Sequence, residues 1–353
     1  MAREVVTPTL ITIMFMLLAG LYGFVKFSHE NDFSYSIAKH CNATVGLAGC
    51  NHLDYITPTL ADGDGLGLKT YLHNTLSTHQ NLPDNPTRPL ITYVYTESLG
   101  ARDNLKFFID NALHGGADFI FILNGPNDVL DLVPDEPNIG VVSQSSKHFD
   151  LSAHGDVLRR DGLWKMYTRF IILSSDIRGP FLPYWSRSCW SDVFLNRVTK
   201  NVKLVGMTAN CLPKFHIQST IWATDSVGMK LLLNPPEGLS SPIMPYVDSK
   251  AAAFRGHYSN VEQAISSELK ATAVIQQAGY KVDALMAAFH KSRDYEEDCA
   301  RDSVKRLLWG QKYQVHPYET VFVEAKHNAD SETARLTKWH RFRPSNGSWD
   351  VCF

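Results

Sequence analysis

Three regimes of apolar and polar positions follow one another along the chain. Val5 to Val25 (VVTPTLITIMFMLLAGLYGFV) is a run with no charged residue. As a helix it would rise about 31 Å, close to the roughly 30 Å hydrocarbon core of a bilayer. Pro8 falls in its first turn, where a missing N–H costs little. Residues 28–89 are then rich in Asn, Asp, His, Thr, Gly and Pro with few apolar runs, the composition of a stem. From residue 90 short apolar runs alternate with stretches of helical spacing. The runs at 91–95, 118–123, 139–142, 169–173, 203–207 and 217–223 predict strands. Helices are predicted at 102–113, 151–163 and 192–198, and another begins at Glu262. Strands and helices alternating at this spacing predict an α/β domain, a mainly parallel sheet with helices on both faces. The expected organisation is a cytosolic tip and transmembrane signal anchor over 1–27, a stem over 28–89 and a lumenal domain over 90–353.

The apolar segment has a second reading as a cleaved signal peptide, since Ala19, Gly20 and Gly23 supply small residues near a cleavage site. Its length exceeds the usual apolar region of about 7–15 residues and favours the anchor. Arg3 precedes it, and Lys26 is followed by Glu30 and Asp32, which favours a cytosolic N-terminus and a single-pass type II topology. Two glycosylation sequons, at Asn42 and Asn346, both lie beyond the segment. A Golgi or other secretory-pathway membrane is the expected location. Six cysteines permit disulfides, with Cys41–Cys50 the first guess from proximity, and no C-x-x-C points to zinc or thioredoxin chemistry. The net charge of −2, with Lys and Arg scattered, leaves no electrostatic footprint for nucleic acid.

In open α/β sheets ligands bind outside the carboxyl ends of the strands. Four consecutive predicted exits are polar: Thr96-Glu97-Ser98, Asn124-Gly125, the run Ser145 to Asp150, and Ser174-Ser175-Asp176-Ile177-Arg178-Gly179-Pro180. Each also suits a helix cap or a turn. Glycine-rich phosphate loops, a G-x-S-x-G elbow and an H-E-x-x-H pair are all missing, which removes the usual dinucleotide, P-loop, serine-hydrolase and zincin classes.

Several stretches carry a family resemblance. They include Tyr93 to Glu97, Arg102 to Phe108, Asp118 to Gly125, Phe149 to Gly155, Ile177 to Pro183 and Val205 to Cys211. His216 to Ser219, Ala223 to Asp225 and His316 to Thr320 continue it. Over roughly residues 90–325 the chain resembles a eukaryotic and bacterial group of glycosyltransferases distantly similar to the rhamnan-synthesis F proteins. The resemblance implies a GT-A-like, Rossmann-like fold, a nucleotide-diphospho-sugar donor, a glycan or glycoconjugate acceptor, and Mn²⁺ or Mg²⁺ as cofactor. The exit that corresponds to the metal-binding D-x-D reads Ser174-Ser175-Asp176, one acid in place of two, which counts against metal dependence. A non-catalytic sugar-binding or scaffolding protein of the same fold is the alternative.

The candidate donor-binding residues are Glu97, Asn124, Asp150, Asp176, Arg178, Gly179 and Gln218. Asp176 and His316 are the candidate metal contacts, although Pro317 makes a simple turn at His316 equally good. His216 and Gln218, alternating along one predicted strand, would share a face. Glu262, in the first turn of its helix and paired with Ser266 as in the resembling group, is the candidate general base, with His216 as a second catalytic candidate.

Overall fold

The apolar runs form strands buried on both sides. In chain order they are β1 (Leu90–Thr96), β2 (Asp118–Asn124), β3 (Ile139–Gln144), β4 (Arg169–Ser174), β5 (Ile177–Arg178) and β6 (Val202–Gly206). There follow β7 (Ala209–Asn210), β8 (His216–Ile217), β9 (Ile221–Asp225), β10 (Lys281–Ala284) and β11 (Val323–Glu324). The structure is a computed structural model that describes residues 88–144, 147–236, 252–256, 258, 260–301, 315–326, 331–342 and 348–352. All of these belong to one compact unit, Leu60–Phe353. The apolar run 5–25, the stem up to residue 87, Cys41, Cys50, Asn42, Asn346, Ser145 and Ser146 lie outside the described residues. Among the described residues no helix is long and apolar enough to cross a membrane.

Seven strands make the central sheet, in the order β10-β6-β9-β4-β1-β2-β3. Its neighbours run parallel except β9, which is antiparallel to both β4 and β6. The expected mainly parallel sheet is therefore present. Side chains alternate along each strand with period two. Leu90 and Val94 of β1 join Ile120, Ile122, Phe170 and Ile172 on one face. Ile91, Tyr93 and Tyr95 join Phe119, Phe121, Ile171 and Leu173 on the other.

Helices cover both faces, as the continuous apolar strands require. On the second face lie α1 (Ala101–Ala112), with Leu105 and Phe108, and the short helix Trp190–Leu195, with Trp190 and Phe194. The first face carries α2 (Asp150–Arg159), through Val157 and Leu158. With Trp190–Leu195 as α3, it also carries α4 (Ser226–Leu233) and α5 (Val261–Gln277), through Met229, Leu232, Ala271 and Ile275. Short helices α6 (Ala287–Lys291), α7 (Tyr295–Arg301) and α8 (Pro317–Thr320), then α9 (Ser331–Phe342) and α10 (Ser348–Val351), complete the order.

Two predicted elements differ. The expected strand 217–223 is two: β8 stops at Ile217, a turn intervenes at Ser219 and Thr220, and β9 runs from Ile221 to Asp225. The helix expected over 151–163 ends at Arg159, because Asp161 and Gly162 adopt positive φ (53° and 70°) inside a 3₁₀ stretch, Arg160–Met166. Cysteine pairing is found as Cys189–Cys352 and Cys211–Cys299, closing separations of 163 and 88 residues. On the loop-entropy picture, bridges of that span stabilise by on the order of 4–5 kcal/mol each.

Candidate active site

The sheet order reverses between β1 and β4, with β2 and β3 to one side and β9, β6 and β10 to the other. In an open α/β sheet such a switch point is where a ligand crevice forms, outside the carboxyl ends of the strands. Polar side chains converge on it. At the end of β1, Thr96 donates from Oγ1 to Asp150 Oδ1 (3.1 Å) and accepts from Asn124 Nδ2 (2.8 Å). Asn124, at the end of β2, also donates to the His148 carbonyl (2.7 Å) and accepts from the His148 N–H (2.9 Å). Thus it fixes the loop that delivers Asp150 to the start of α2. The exit of β4 is tied to that of β1 by the Thr96 N–H, which donates to Ser175 Oγ (3.1 Å).

A second strand pair brings a late segment to the same place. β11 runs antiparallel to β5 with Glu324 opposite Ile177, and the Ala325 N–H donates to the Asp176 carbonyl (2.7 Å). Lys326 Nζ lies 3.2 Å from Asp176 Oδ2, with the lysine side chain 62% exposed and the aspartate 26%. From the opposite side Gln218 donates from Nε2 to Glu324 Oε1 (3.2 Å) and accepts from Thr208 Oγ1 (2.5 Å). Glu268, on α5, accepts from the Ser219 N–H in the turn before β9.

Electrostatics tie these groups together. The Asp150 carboxyl is pushed above the usual carboxylate range, chiefly by burial, and Asp176 adds to the rise. Hydrogen bonds from Ser174 and Thr96, and the Lys326 charge, oppose it. Glu324 is also raised, first by desolvation and then by Glu268 and Asp176, against Gln218 and Lys326. Its side chain still reaches solvent, so it sits at a crowded rim and not in a sealed interior. Lys326 pairs with Asp176 and its charge also acts on Asp150 and Glu324, while Glu268 acts on Glu324, so the carboxylates outnumber the one ammonium among these groups. Carboxylate oxygens are the hard donors that Mg²⁺ or Mn²⁺ prefers, so Asp150 and Asp176 fit such an ion in kind.

Other expected site residues take structural positions. Arg178 is 5% exposed and donates from Nε to Asn104 Oδ1 (2.8 Å). Burial lowers its pKa while the Asp103 charge opposes that. Asn104 in turn donates to the carbonyls of Ser175 (2.8 Å) and Ala325 (2.9 Å). Arg178 and Asn104 therefore brace the two segments that present Asp176 and Glu324. A Cβ on Gly179 would meet Phe322 Cδ1 at 2.4 Å, so that glycine serves a close approach. Glu97 is exposed and accepts from Tyr95 Oη (2.7 Å).

His216 is buried, its Nδ1 2.7 Å from the Lys214 carbonyl, and because β8 ends at Ile217 it shares no strand face with Gln218. His316 caps α8, its Nδ1 accepting from the Tyr318 N–H (3.1 Å). Glu262 stands exposed in the first turn of α5, beside the cap Asn260. Among the described residues none of these three has a hydrogen bond or ion pair to the carboxylate group. Glu268, Glu324 and Lys326 were not anticipated. Glu268 follows Glu262 by six positions on the same helix, and Glu324 closes the run Val321-Phe322-Val323, an apolar stretch that could have been read as a strand.

No family model matches the chain, and no curated protein matches it. Among solved structures it is similar to a mannosyltransferase, PcManGT from Pyrobaculum calidifontis, in complex with GDP-Man and Mn²⁺. The identity is 11%, the TM-score 0.34, and the match spans 62% of this chain and 61% of that one.

Proposed function

We propose that this chain is a glycosyltransferase of GT-A-like fold that moves a sugar from a nucleotide-diphospho-sugar donor to a glycan or glycoconjugate acceptor. The observation that carries the proposal is the electrostatic linkage of Asp150 and Asp176, beyond the ends of β3 and β4, with Glu324 of β11 and the Lys326 ammonium. The resemblance of residues 90–325 to glycosyltransferases agrees with it. A diphosphate leaving group develops negative charge as it departs, and Lys326 supplies a compact ammonium beside its path. A divalent ion held by Asp150 and Asp176 would add Lewis-acid stabilisation of that charge. Gln218 has a second amide N–H beyond its bond to Glu324 for a donor hydroxyl.

Glu324 serves as base. Its elevated proton affinity suits a carboxylate that must take a proton near neutral pH. The acceptor hydroxyl gives its proton to Glu324 as its oxygen bonds to the anomeric carbon. The bond from that carbon to the diphosphate oxygen breaks, and the nucleoside diphosphate leaves with the electron pair. The uncharged apolar run Val5 to Val25, the two sequons and the disulfides are what support reading the chain as a single-pass type II protein of a Golgi or other secretory-pathway membrane, with the domain lumenal. Calorimetry of the full chain against a panel of nucleoside-diphospho-sugars, with and without Mn²⁺, tests the donor. Saturable binding that Asp176→Asn weakens is expected. Absence of binding to every nucleotide sugar would defeat the proposal.

A further inference from the structure

A second cleft, of about 840 Å³, opens at the opposite end of the sheet. It is lined by Arg88 and Pro89 before β1, by His114 and Gly116 before β2, and by Arg169 at the start of β4. A strand as long as β1 sets it about 20 Å from the carboxylate site. Its volume falls within the roughly 300–1,000 Å³ typical of small-ligand sites.

Four guanidinium groups line it, Arg88, Arg169, Arg187 and Arg197, against one lining carboxylate, Asp192. Arg88 is committed to Asp118 and to the carbonyls of Gly115 and Ala117, and Arg197 to Asp283 and His290. Among the described residues Arg169 gives one hydrogen bond, to Asn196 (3.3 Å), and Arg187 is exposed with no partner. With the committed pairs set aside, two guanidiniums face one carboxylate. His114, 1% exposed, also lines the cleft, and its Nδ1 is buried without a hydrogen-bond partner. An orphaned buried imidazole nitrogen costs free energy unless a ligand or water meets it. Cys189–Cys352 closes the wall, fixing the segment after α10 against the loop that carries Arg187.

We propose that this cleft is a second ligand site for an anionic saccharide, a glycan carrying sulfate, phosphate or carboxylate groups. Arg169 and Arg187 supply planar forks for an oxyanion. Ser188, Ser191 and Asn196 line the same cleft with hydroxyl and amide groups suited to sugar hydroxyls. The site owes nothing to the transfer reaction, since its residues share no contact with Asp176 or Glu324.

Tryptophan fluorescence and calorimetry on the full chain test it with three probes: a sulfated disaccharide, its unsulfated counterpart and inorganic sulfate. The sulfated sugar should bind, more weakly as salt rises, and both other probes should bind at least about tenfold less tightly. Arg187→Glu should weaken the sulfated sugar at least about tenfold with an unchanged melting temperature, because the side chain is exposed and unpartnered. Glu324→Gln, at the other end of the sheet, should leave that binding intact. Equal binding of the unsulfated sugar would remove the anion from the proposal, and equal binding of inorganic sulfate would remove the saccharide. Binding that survives both Arg187→Glu and Arg169→Gln would overturn the site altogether.

Discussion

Glu324 shows how one carboxyl acquires a chemistry its neighbours lack. Desolvation, Glu268 and Asp176 all favour its protonated form, while Gln218 and Lys326 oppose them. The base form is the ionised one, so activity should fall as pH falls through the raised value. The acid limb of the kcat profile should therefore lie above the ordinary Glu range near 4.5. A limb at or below that range would remove Glu324 from the role. Asp176 was legible from the sequence because a polar residue after a buried run is a strand exit. Glu324 was not, because it reaches the site through a strand of two residues, Val323–Glu324, too short to show a period. Its partner strand β5, likewise two residues, lies more than a hundred positions earlier in the chain. The direction of the Arg178 side chain was not legible either: sequence places it two residues after Asp176, whereas its Nε donates to Asn104.

At the level of elements, the site depends on a brace that never touches it. Asn104 on α1 satisfies the carbonyls of Ser175 and Ala325 and accepts from Arg178. Asn104→Ala leaves two buried carbonyls and a guanidinium N–H without partners, at a cost of about 2–4 kcal/mol. Urea unfolding should show that loss, together with weaker donor binding from a displaced Asp176. A variant of unchanged stability would mean that water replaces the amide and that the brace is dispensable. The long buried strands and α1 were readable because their apolar periods are unbroken. β9 was not, since the run from Ile217 to Ala223 hides a turn whose residues, Ser219 and Thr220, are compatible with either state.

In the molecule as a whole, two disulfides tie distant segments to the sheet domain. Peptide mapping without reduction should recover Cys189–Cys352 and Cys211–Cys299. Free thiols at all four would contradict both the pairing and the oxidising compartment. Sugar transfer is read most directly by release of nucleoside diphosphate by the purified full chain, donor by donor with an acceptor pool. Wild-type protein should turn over at least one donor. Asp176→Asn should raise the donor concentration needed, and Glu324→Gln should bind donor normally yet lose roughly 10²–10⁴-fold in kcat. Wild-type turnover that Glu324→Gln leaves intact would contradict the assigned base. No release from any donor would leave a sugar-binding protein of the same fold and no transferase.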